Sequence, residues 1–377
     1  MNTYLLYKLP FTNIEECLKP TFTNNMNDIH VAINQSLKHY LNIIKNDIKI
    51  YNNKWDKIKK YTYIYEYINS TNKKHNINNP ICKINPISRS FFKMIEICNT
   101  FDILNDFPIK SLKSYHLAEA PGGFVEALSY LRNNVNDNYY GMTLLNNDKS
   151  YIPKWKYSKY LSNNFNIEYG FSGNGDLMCN ENLLYIYNLH KNSCQIVTGD
   201  GGFDFTNNFD NQEINISKLI LCQIAFAIAC QAKGGCFILK IFDIFTEITL
   251  DLIYLLCNLY EEVYIYKPYT SRSANSEKYI VCKHFRLDDT IFYNLFFYNI
   301  LGNLNNNYIK RLFKFNLPLH FINKIENINS IIGKKQIDNI NYTIHMIQTN
   351  RINIDLNKNI TKCINWCKNN NLPYNII

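Results

Sequence analysis

The sequence predicts an α/β fold built on a mostly parallel sheet, and three observations carry that expectation. Between residues 84 and 290, short apolar strands alternate with helical stretches, the pattern of a parallel sheet covered by helices. The stretch YHLAEAPGGFVEALSYL (Tyr115 to Leu131) reads as strand, Pro-Gly-Gly turn and helix, an element that handles nucleotide-like ligands. The last two strands are separated only by KPYTSRSANSE, too short for a helical crossover. They are therefore expected to form an antiparallel hairpin at the sheet edge.

Taken in order, residues 1–83 read as a basic, mostly helical extension. They contain no glycine, and HVAINQSLKHYLNIIKNDI (His30 to Ile48) places apolar residues near helical spacing. The polar stretch NSTNKKHNINNP (Asn69 to Pro80) marks a boundary. Residues 84–290 follow as the α/β domain, with strands expected at 114–118, 139–144, 195–198, 236–239, 262–266 and 278–283. Residues 291–377 return to Asn/Ile-rich helical patterns and read as a second basic, mostly helical extension.

Charge separates along the same lines. Segments 37–83 and 291–377 each carry ten basic and three acidic residues, net +7, whereas residues 84–290 carry 18 basic and 22 acidic, net −4. Basic flanks around a slightly acidic centre suit flanks that hold a polyanion while the centre does chemistry. The Asn/Ile/Lys bias suits an AT-rich genome, such as that of a large DNA virus or a protist. The twelve cysteines include no C-x-x-C and mostly sit in apolar runs, as buried thiols of a reducing, intracellular compartment do, in nucleus or cytoplasm, a viral cytoplasmic factory included. The longest apolar run, LILCQIAFAIAC (Leu219 to Cys230), is interrupted by Gln223 and too short to span a bilayer, and the start of the chain lacks the layout of a signal peptide. A soluble protein without a membrane partner is expected.

The chemistry begins at the glycine turn. Its spacing is not G-x-G-x-x-G, and no G-x-x-x-x-G-K-[ST] occurs. Gly122 and Gly123 lack a Cβ, so the backbone there can approach a ligand closely at the carboxyl end of the first central strand. Acids follow at later strand ends: Asp176 in GNGDL and Asp200 in IVTGDGGF. Carboxylates there suit a ligand that is cationic and rich in hydroxyl and amino groups, and would repel a pyrophosphate. S-adenosylmethionine fits and NAD fits poorly. Lys240 ends the apolar strand GGCFILK, an expensive place for an ammonium group without partners. Burial or a nearby cation lowers an amine's pKa, which is how a lysine becomes a general base. Asp200, Glu277 at the start of the last strand, and Lys93 on the helix SRSFFKMIEICNTF are its candidate partners.

Lys93, Asp200, Lys240 and Glu277, in that order around APGGF, resemble the K-D-K-E tetrad of FtsJ/RrmJ-type RNA 2′-O-methyltransferases. VTGDGGFDF, YYGMTLL, GNGDL, LILCQIAFAIACQAKGGCFILKIFDIFT and YKPYTSRSANSEKYIVC resemble the cap-specific mRNA (nucleoside-2′-O-)-methyltransferase branch over residues 85–286. The resemblance implies a Rossmann-like methyltransferase fold and S-adenosylmethionine held by Pro121, Gly122, Gly123, Phe124, Thr143, Leu144, Asp176 and Asp200. It also implies 2′-O-methylation of the first transcribed nucleotide of a capped mRNA 5′ end, with transcription or capping machinery as further partners. The cap-reading acidic-amide pair of relatives falls on TNNFDNQEIN, where Asp210, Asn211 and Glu213 each align. Lys57, Lys73, Arg272 and Ser273 are implied RNA contacts, and the aromatics among the lysines of 37–83, such as Trp55, suit either cap stacking or core packing. Two alternatives stand beside this: methylation of ribosomal or transfer RNA, and an inactive RNA-binding subunit of the same fold. No metal is implied.

Overall fold

The computed structural model describes residues 3–9, 14–72, 77–107, 111–145, 152–202, 211–305, 307–351 and 354–376. The strands are β1 (Thr3–Leu5), β2 (Leu18–Thr23), β3 (Lys113–Leu117), β4 (Asn138–Met142), β5 (Phe165–Glu168), β6 (Cys194–Gly199), β7 (Gln231–Ile241), β8 (Tyr260–Tyr266), β9 (Lys278–Phe285) and β10 (Tyr308–Phe313). The helices are α1 (Gln35–Ile50), α2 (Asn52–Thr62), α3 (Ser90–Thr100), α4 (Gly123–Arg132), α5 (Asn180–His190), α6 (Gln212–Cys230), α7 (Glu247–Leu259), α8 (Ile291–Asn303), α9 (Leu319–Thr349) and α10 (Leu356–Asn369).

Eight strands form one sheet in the order β1-β8-β9-β7-β6-β3-β4-β5. The stretch from β5 to β7 is parallel, and β9, β8 and β1 are added antiparallel. The chain leaves β3 towards β4 and β5 and returns on its other side as β6. That reversal opens a crevice at the carboxyl ends of β3 and β6, where ligands bind in open α/β sheets.

Strand periodicity decides what lies on each face. Odd-numbered Tyr115, Leu117, Val197, Phe237 and Leu239 pack with α5, α6, α7 and α8. Ile196, Cys236, Ile238, Tyr279 and Val281 pack on the opposite face with α3, α4 and α10. Each buried Leu, Ile or Phe contributes roughly 1.5–3 kcal/mol, so both layers are needed to hold the sheet. The α6 helix, Gln212–Cys230, is long and apolar enough to cross a membrane by length and composition. It is nonetheless buried along nearly its whole length, as the central helix of the first layer.

The structure bears out the antiparallel pair and adds elements that the sequence pattern did not reveal. The segment Lys278–Phe285 pairs antiparallel with β8 as expected, and the pair makes up the antiparallel side of the sheet, with β9 against β7 and the short β1 added outside β8. Beside its helices α1 and α2, the N-terminal segment supplies the short strands β1 and β2. The C-terminal segment likewise supplies β10, which pairs antiparallel with β2. The short strand β5 lies outside the strands expected from sequence, and the run Leu219–Cys230 is part of a longer helix. Both flanks pack on each other: α1 and α2 share a small core with α9 through Ile44, Ile48, Trp55, Ile340, Ile344 and Ile347.

Candidate active site

Period-2 geometry brings the tetrad together. Residues 196 and 198 of β6, 236 and 238 of β7, and 279 and 281 of β9 face α3, so Asp200, Lys240 and Glu277 emerge on that side at the strand ends. Helix α3 buries Phe91, Phe92, Met94, Ile95, Ile97 and Cys98, which leaves Lys93 aimed at the same place. Lys93 Nζ lies 2.8 Å from Glu277 Oε1. Lys240 Nζ lies 3.2 Å from Asp200 Oδ1 and donates to the Asp200 carbonyl at 2.6 Å. Tyr279, directly opposite Lys240 in the ladder, donates from its hydroxyl to Asp200 Oδ1 at 3.1 Å, and its ring lies 6.0 Å from Lys93 Nζ. The four side chains are 12–15% exposed, so the cluster is mostly buried but still reaches the surface.

The electrostatics follow from burial and proximity. Burial by itself pushes the Glu277 carboxyl up, but Lys93, Lys240 and Lys267 overcome it and hold the group at about 2. Asp200 is raised, because its burial outweighs the pull of Lys240 and Lys93, with Glu277 and Glu119 adding to the rise. Lys267 is pushed down to about 7 by burial, against the opposing pull of Glu277. Its ammonium donates to Asn275 O (2.7 Å), Asn275 Oδ1 (2.6 Å) and Glu277 O (2.6 Å), while Ser271 Oγ donates to Glu277 Oε1 at 2.8 Å. The β8–β9 loop is thus a closed clip that fixes the Glu277 carboxylate.

Helix α3 also anchors this loop from below. Glu96, one turn beyond Lys93, is 3% exposed. Its Oε1 accepts from Tyr266 Oη and Tyr269 N, both at 2.6 Å. Its Oε2 accepts from Thr270 N (3.1 Å), Thr270 Oγ1 (2.8 Å) and Trp366 Nε1 (3.0 Å).

The expected cofactor residues converge at the crevice. Gly122 has φ +109°, a conformation that L side chains rarely adopt, and Trp155 packs over it. Gly123 serves a different need: a Cβ there would come within 2.2 and 2.3 Å of the Ser90 and Ser88 hydroxyls, so it permits α4 to approach α3. Pro121 opens the turn, and the buried Phe124 ring lies 5.8 Å from that of Tyr279, joining the turn to the tetrad. Thr143 and Leu144 follow β4, and the loop carrying Asp176 passes so close that a Cβ on Gly175 would lie 2.2 Å from Thr143 O. Asp176 Oδ1 accepts from Met178 N at 2.9 Å, and Asp200 directly follows β6. Glu119 stiffens the turn, accepting from Val125 N (3.0 Å) and Thr198 Oγ1 (2.7 Å). Backbone approach, hydroxyl and carboxylate groups at the ends of β3, β4 and β6 fit a cationic, polyhydroxyl ligand such as S-adenosylmethionine.

A cavity of about 630 Å³ adjoins the tetrad. Its wall includes Lys45, Lys59, Arg272, Trp55, Tyr63 and Phe242, the last with its ring 5.8 Å from Lys240 Nζ. Arg272 meets the buried Glu66 at 3.3 Å, while its buried Nε has no partner. Ser273 is exposed on the same loop, and Asn211 is half-buried at the start of α6. Lys57 is exposed on α2 but does not line this cavity, whereas Lys45, held by Asp243 at 2.9 Å, does. Lys73 and Asp210 lie outside the described residues. Glu213 is 3% exposed, and its Oε1 accepts from Phe245 N, Thr246 N and Thr246 Oγ1, each at 2.8 Å. It therefore ties α6 to the start of α7 through that oxygen, while its Oε2 is buried with no hydrogen-bond partner among the described residues.

Sequence reasoning missed Tyr279, Lys267, Ser271, Glu96 and Lys45. Only Tyr279 had a usable signal, since it follows Glu277 by two residues and so shares its strand face.

Comparison with known proteins covers the same region. The profile of the FtsJ-like methyltransferases matches residues 86–285. Over 286 residues, 68% of the chain, identity to cap-specific mRNA (nucleoside-2′-O-)-methyltransferase 2 of Danio rerio is 30%, with 35% of that protein covered. Identity to cap-specific mRNA (nucleoside-2′-O-)-methyltransferase 1 of Mus musculus is 36% over 54% of the chain and 25% of the relative. The inactive cap-specific mRNA (nucleoside-2′-O-)-methyltransferase 1B of Caenorhabditis briggsae is 34% identical over 45% of the chain and 20% of the relative. The chain spans about a third or less of the length of these relatives.

Proposed function

The chain belongs to the FtsJ-like methyltransferase family, and from that premise we propose that it methylates the ribose 2′-OH of the first transcribed nucleotide of capped mRNA. The observation that carries the proposal is the meeting of Lys93, Asp200, Lys240 and Glu277 in one cleft, between the crevice at the β3 and β6 ends and the cation- and aromatic-lined cavity. Similarity to cap-specific mRNA (nucleoside-2′-O-)-methyltransferases supports the choice of substrate. When bound at Pro121–Phe124, Thr143, Leu144, Asp176 and Asp200, S-adenosylmethionine supplies an electrophilic methyl group on a sulfonium and leaves as a thioether.

The chain's own groups do the rest. Lys240 Nζ, after giving up a proton to solvent, accepts the proton of the 2′-OH while the oxygen forms its bond to carbon, so the products are an ether, a neutral thioether and a protonated Lys240. Asp200 orients Lys240 through both its carbonyl and its carboxylate. Glu277, fixed by Ser271 and the Lys267 clip, holds Lys93. Lys93 places a second positive charge beside the reacting oxygen, which favours its deprotonated form. Alignment of oxygen, carbon and sulfur supplies much of the acceleration, because the displacement is in line. The larger cavity receives the cap, with Lys45, Lys59 and Arg272 facing its phosphates and Trp55 and Tyr63 its base.

The test is incubation with labelled S-adenosylmethionine and RNA bearing an m7GpppA end, followed by nuclease mapping of the labelled position. Label on the 2′-oxygen of the first nucleotide is expected, and Lys240→Ala should abolish turnover while leaving cofactor affinity within about twofold. Equal labelling of uncapped transcripts would redirect the assignment to ribosomal or transfer RNA. Absence of any affinity for S-adenosylmethionine would favour an RNA-binding subunit.

A further inference from the structure

The turn that follows Lys240 is held by four neighbouring elements. Strand β7 ends at Ile241 and α7 begins at Glu247, so residues 242–246 carry the chain from the tetrad to the helix. Lys278 Nζ of β9 donates to Phe242 O, and Asn329 Nδ2 of α9 donates to Ile244 O. Phe245 O accepts from Ala32 N at 2.7 Å and from Ile33 N at 3.2 Å, in the segment before α1. Glu213 of α6 takes the amides of Phe245 and Thr246.

Asp243 stands at the centre of this turn, between two lysines. Its Oδ2 accepts from Lys45 Nζ of α1 at 2.9 Å, with both side chains largely buried. Lys278 sits opposite Ile241 in the β7–β9 ladder and is 3% exposed. It alternates with Glu277 and Tyr279, so its side chain leaves the other face of the sheet, away from the reacting atoms. Burial pushes the Asp243 carboxyl up, but Lys45, Lys278 and Lys38 overcome it and hold the group below its ordinary value. Burial lowers Lys278 to about 8 against the pull of Asp243, with Lys45 adding to the fall and Glu213 opposing it. Two lysines and two carboxylates from separate elements thus surround one turn. Buried ion pairs add little net stability over apolar packing, because desolvation offsets their attraction.

We propose that Asp243 and Lys278 are positioning residues for the methyl transfer: by pinning residues 242 and 243 they hold Lys240 against Asp200 and the Phe242 ring at the wall of the larger cavity. The inference rests on the proposed function, which makes Lys240 the proton acceptor. Lys240 lies two residues before Phe242, whose carbonyl Lys278 holds and whose ring is 5.8 Å from Lys240 Nζ. Slack in the turn therefore moves the amine and the cavity wall together, while the glycine turn at the β3 end stays in place. A displacement of about 1 Å in such a group costs on the order of a hundredfold in rate. The Lys45 link brings α1 to the same turn, so docking of the N-terminal extension bears on the rate of transfer.

The experiment compares Asp243→Asn, Lys278→Met and Lys278→Arg with the wild-type full chain, on RNA bearing an m7GpppA end, with thermal melting to establish folding. In Asp243→Asn and Lys278→Met, kcat should fall roughly tenfold or more, while KM for RNA and Kd for S-adenosylmethionine stay within about twofold. Lys278→Arg, which still reaches Phe242 O, should recover kcat to within about threefold of wild type. A second readout needs no turnover: labelling of Lys240 by acetic anhydride, mapped by mass spectrometry, should speed up severalfold in Asp243→Asn and Lys278→Met as the amine leaves Asp200. Asp243→Asn keeps the side chain's shape and one acceptor, so it decides the matter where Lys278→Met does not fold. Unchanged kcat or unchanged labelling overturns the proposal, and so does a parallel loss of cofactor affinity or a failure of Arg to restore the rate. Loss of cooperative melting in Asp243→Asn also overturns it, because the cluster then serves the fold alone. If the wild-type chain transfers no methyl group to this RNA while Lys240 labelling still responds, the proposed function fails and the positioning role stands.

Discussion

Glu277 shows how one carboxylate can be stabilising and functional together. Three lysines hold it at about 2 against its own burial. Its folded-state pKa lies below the unfolded value of roughly 4.3, so its contribution is present above that pH and is lost as pH falls towards 2. Wild-type protein should therefore be more stable than Glu277→Gln by a few kcal/mol at neutral pH, and the gap should close between pH 4 and 2 in denaturant titrations. A pH-independent gap would show that the charge is not what stabilises. Lys267 runs the other way: lowered to about 7, it carries a penalty below that pH which is relieved as pH rises towards the ordinary lysine value. The tetrad could be read from the sequence because each member is an ionisable residue at the edge of an apolar element. Lys267 is not legible, since a Lys before a Pro looks ordinary until its partners are known, whereas Tyr279 is signalled only by its place two residues after Glu277. That Glu213 ties α6 to the start of α7 could not be read locally, because a contact between two helices leaves no pattern in either one.

At the scale of elements, α3 and the β8–β9 loop behave as one unit. The helix carries Lys93 on one turn and Glu96 on the next, and Glu96 gathers donors from β8, the loop and α10. Glu96→Ala would leave those donors buried without an acceptor. A loss of about 3–5 kcal/mol is expected in urea titrations, and kcat should fall because Glu277 loses its footing. Stability within about 1 kcal/mol of wild type would contradict this. The central strands were visible as apolar runs, and their ends shifted by only a few residues. What the runs could not reveal is pairing order: a short loop implies that β8 and β9 are neighbours, but not that β9 also lies against β7.

Across the whole molecule, the flanks are structural partners of the centre. β2 pairs with β10, and Arg311 of β10 reaches into α7 to meet Asp251 at 2.9 Å, where Leu312 N also donates to that carboxylate at 2.7 Å. Removing residues 291–377 would uncover α7, leave β2 unpaired and strip Glu96 of its Trp366 donor. The truncated chain is expected to lose cooperative thermal unfolding as well as cofactor binding. A well-folded, cofactor-binding fragment would show instead that the extension is an addition. Basic composition suggested RNA contact for both flanks, yet their mutual packing rests on residues nearly three hundred positions apart, which no local pattern encodes.

The three tryptophans happen to divide the molecule's working parts among them. Trp55 lies in the wall of the larger cavity, Trp155 packs over Gly122 at the glycine turn, and Trp366 donates to Glu96 beneath the loop. The molecule thus comes with built-in optical reporters. With any two replaced by Phe, the remaining indole's emission follows occupancy of one compartment in real time, without an attached dye.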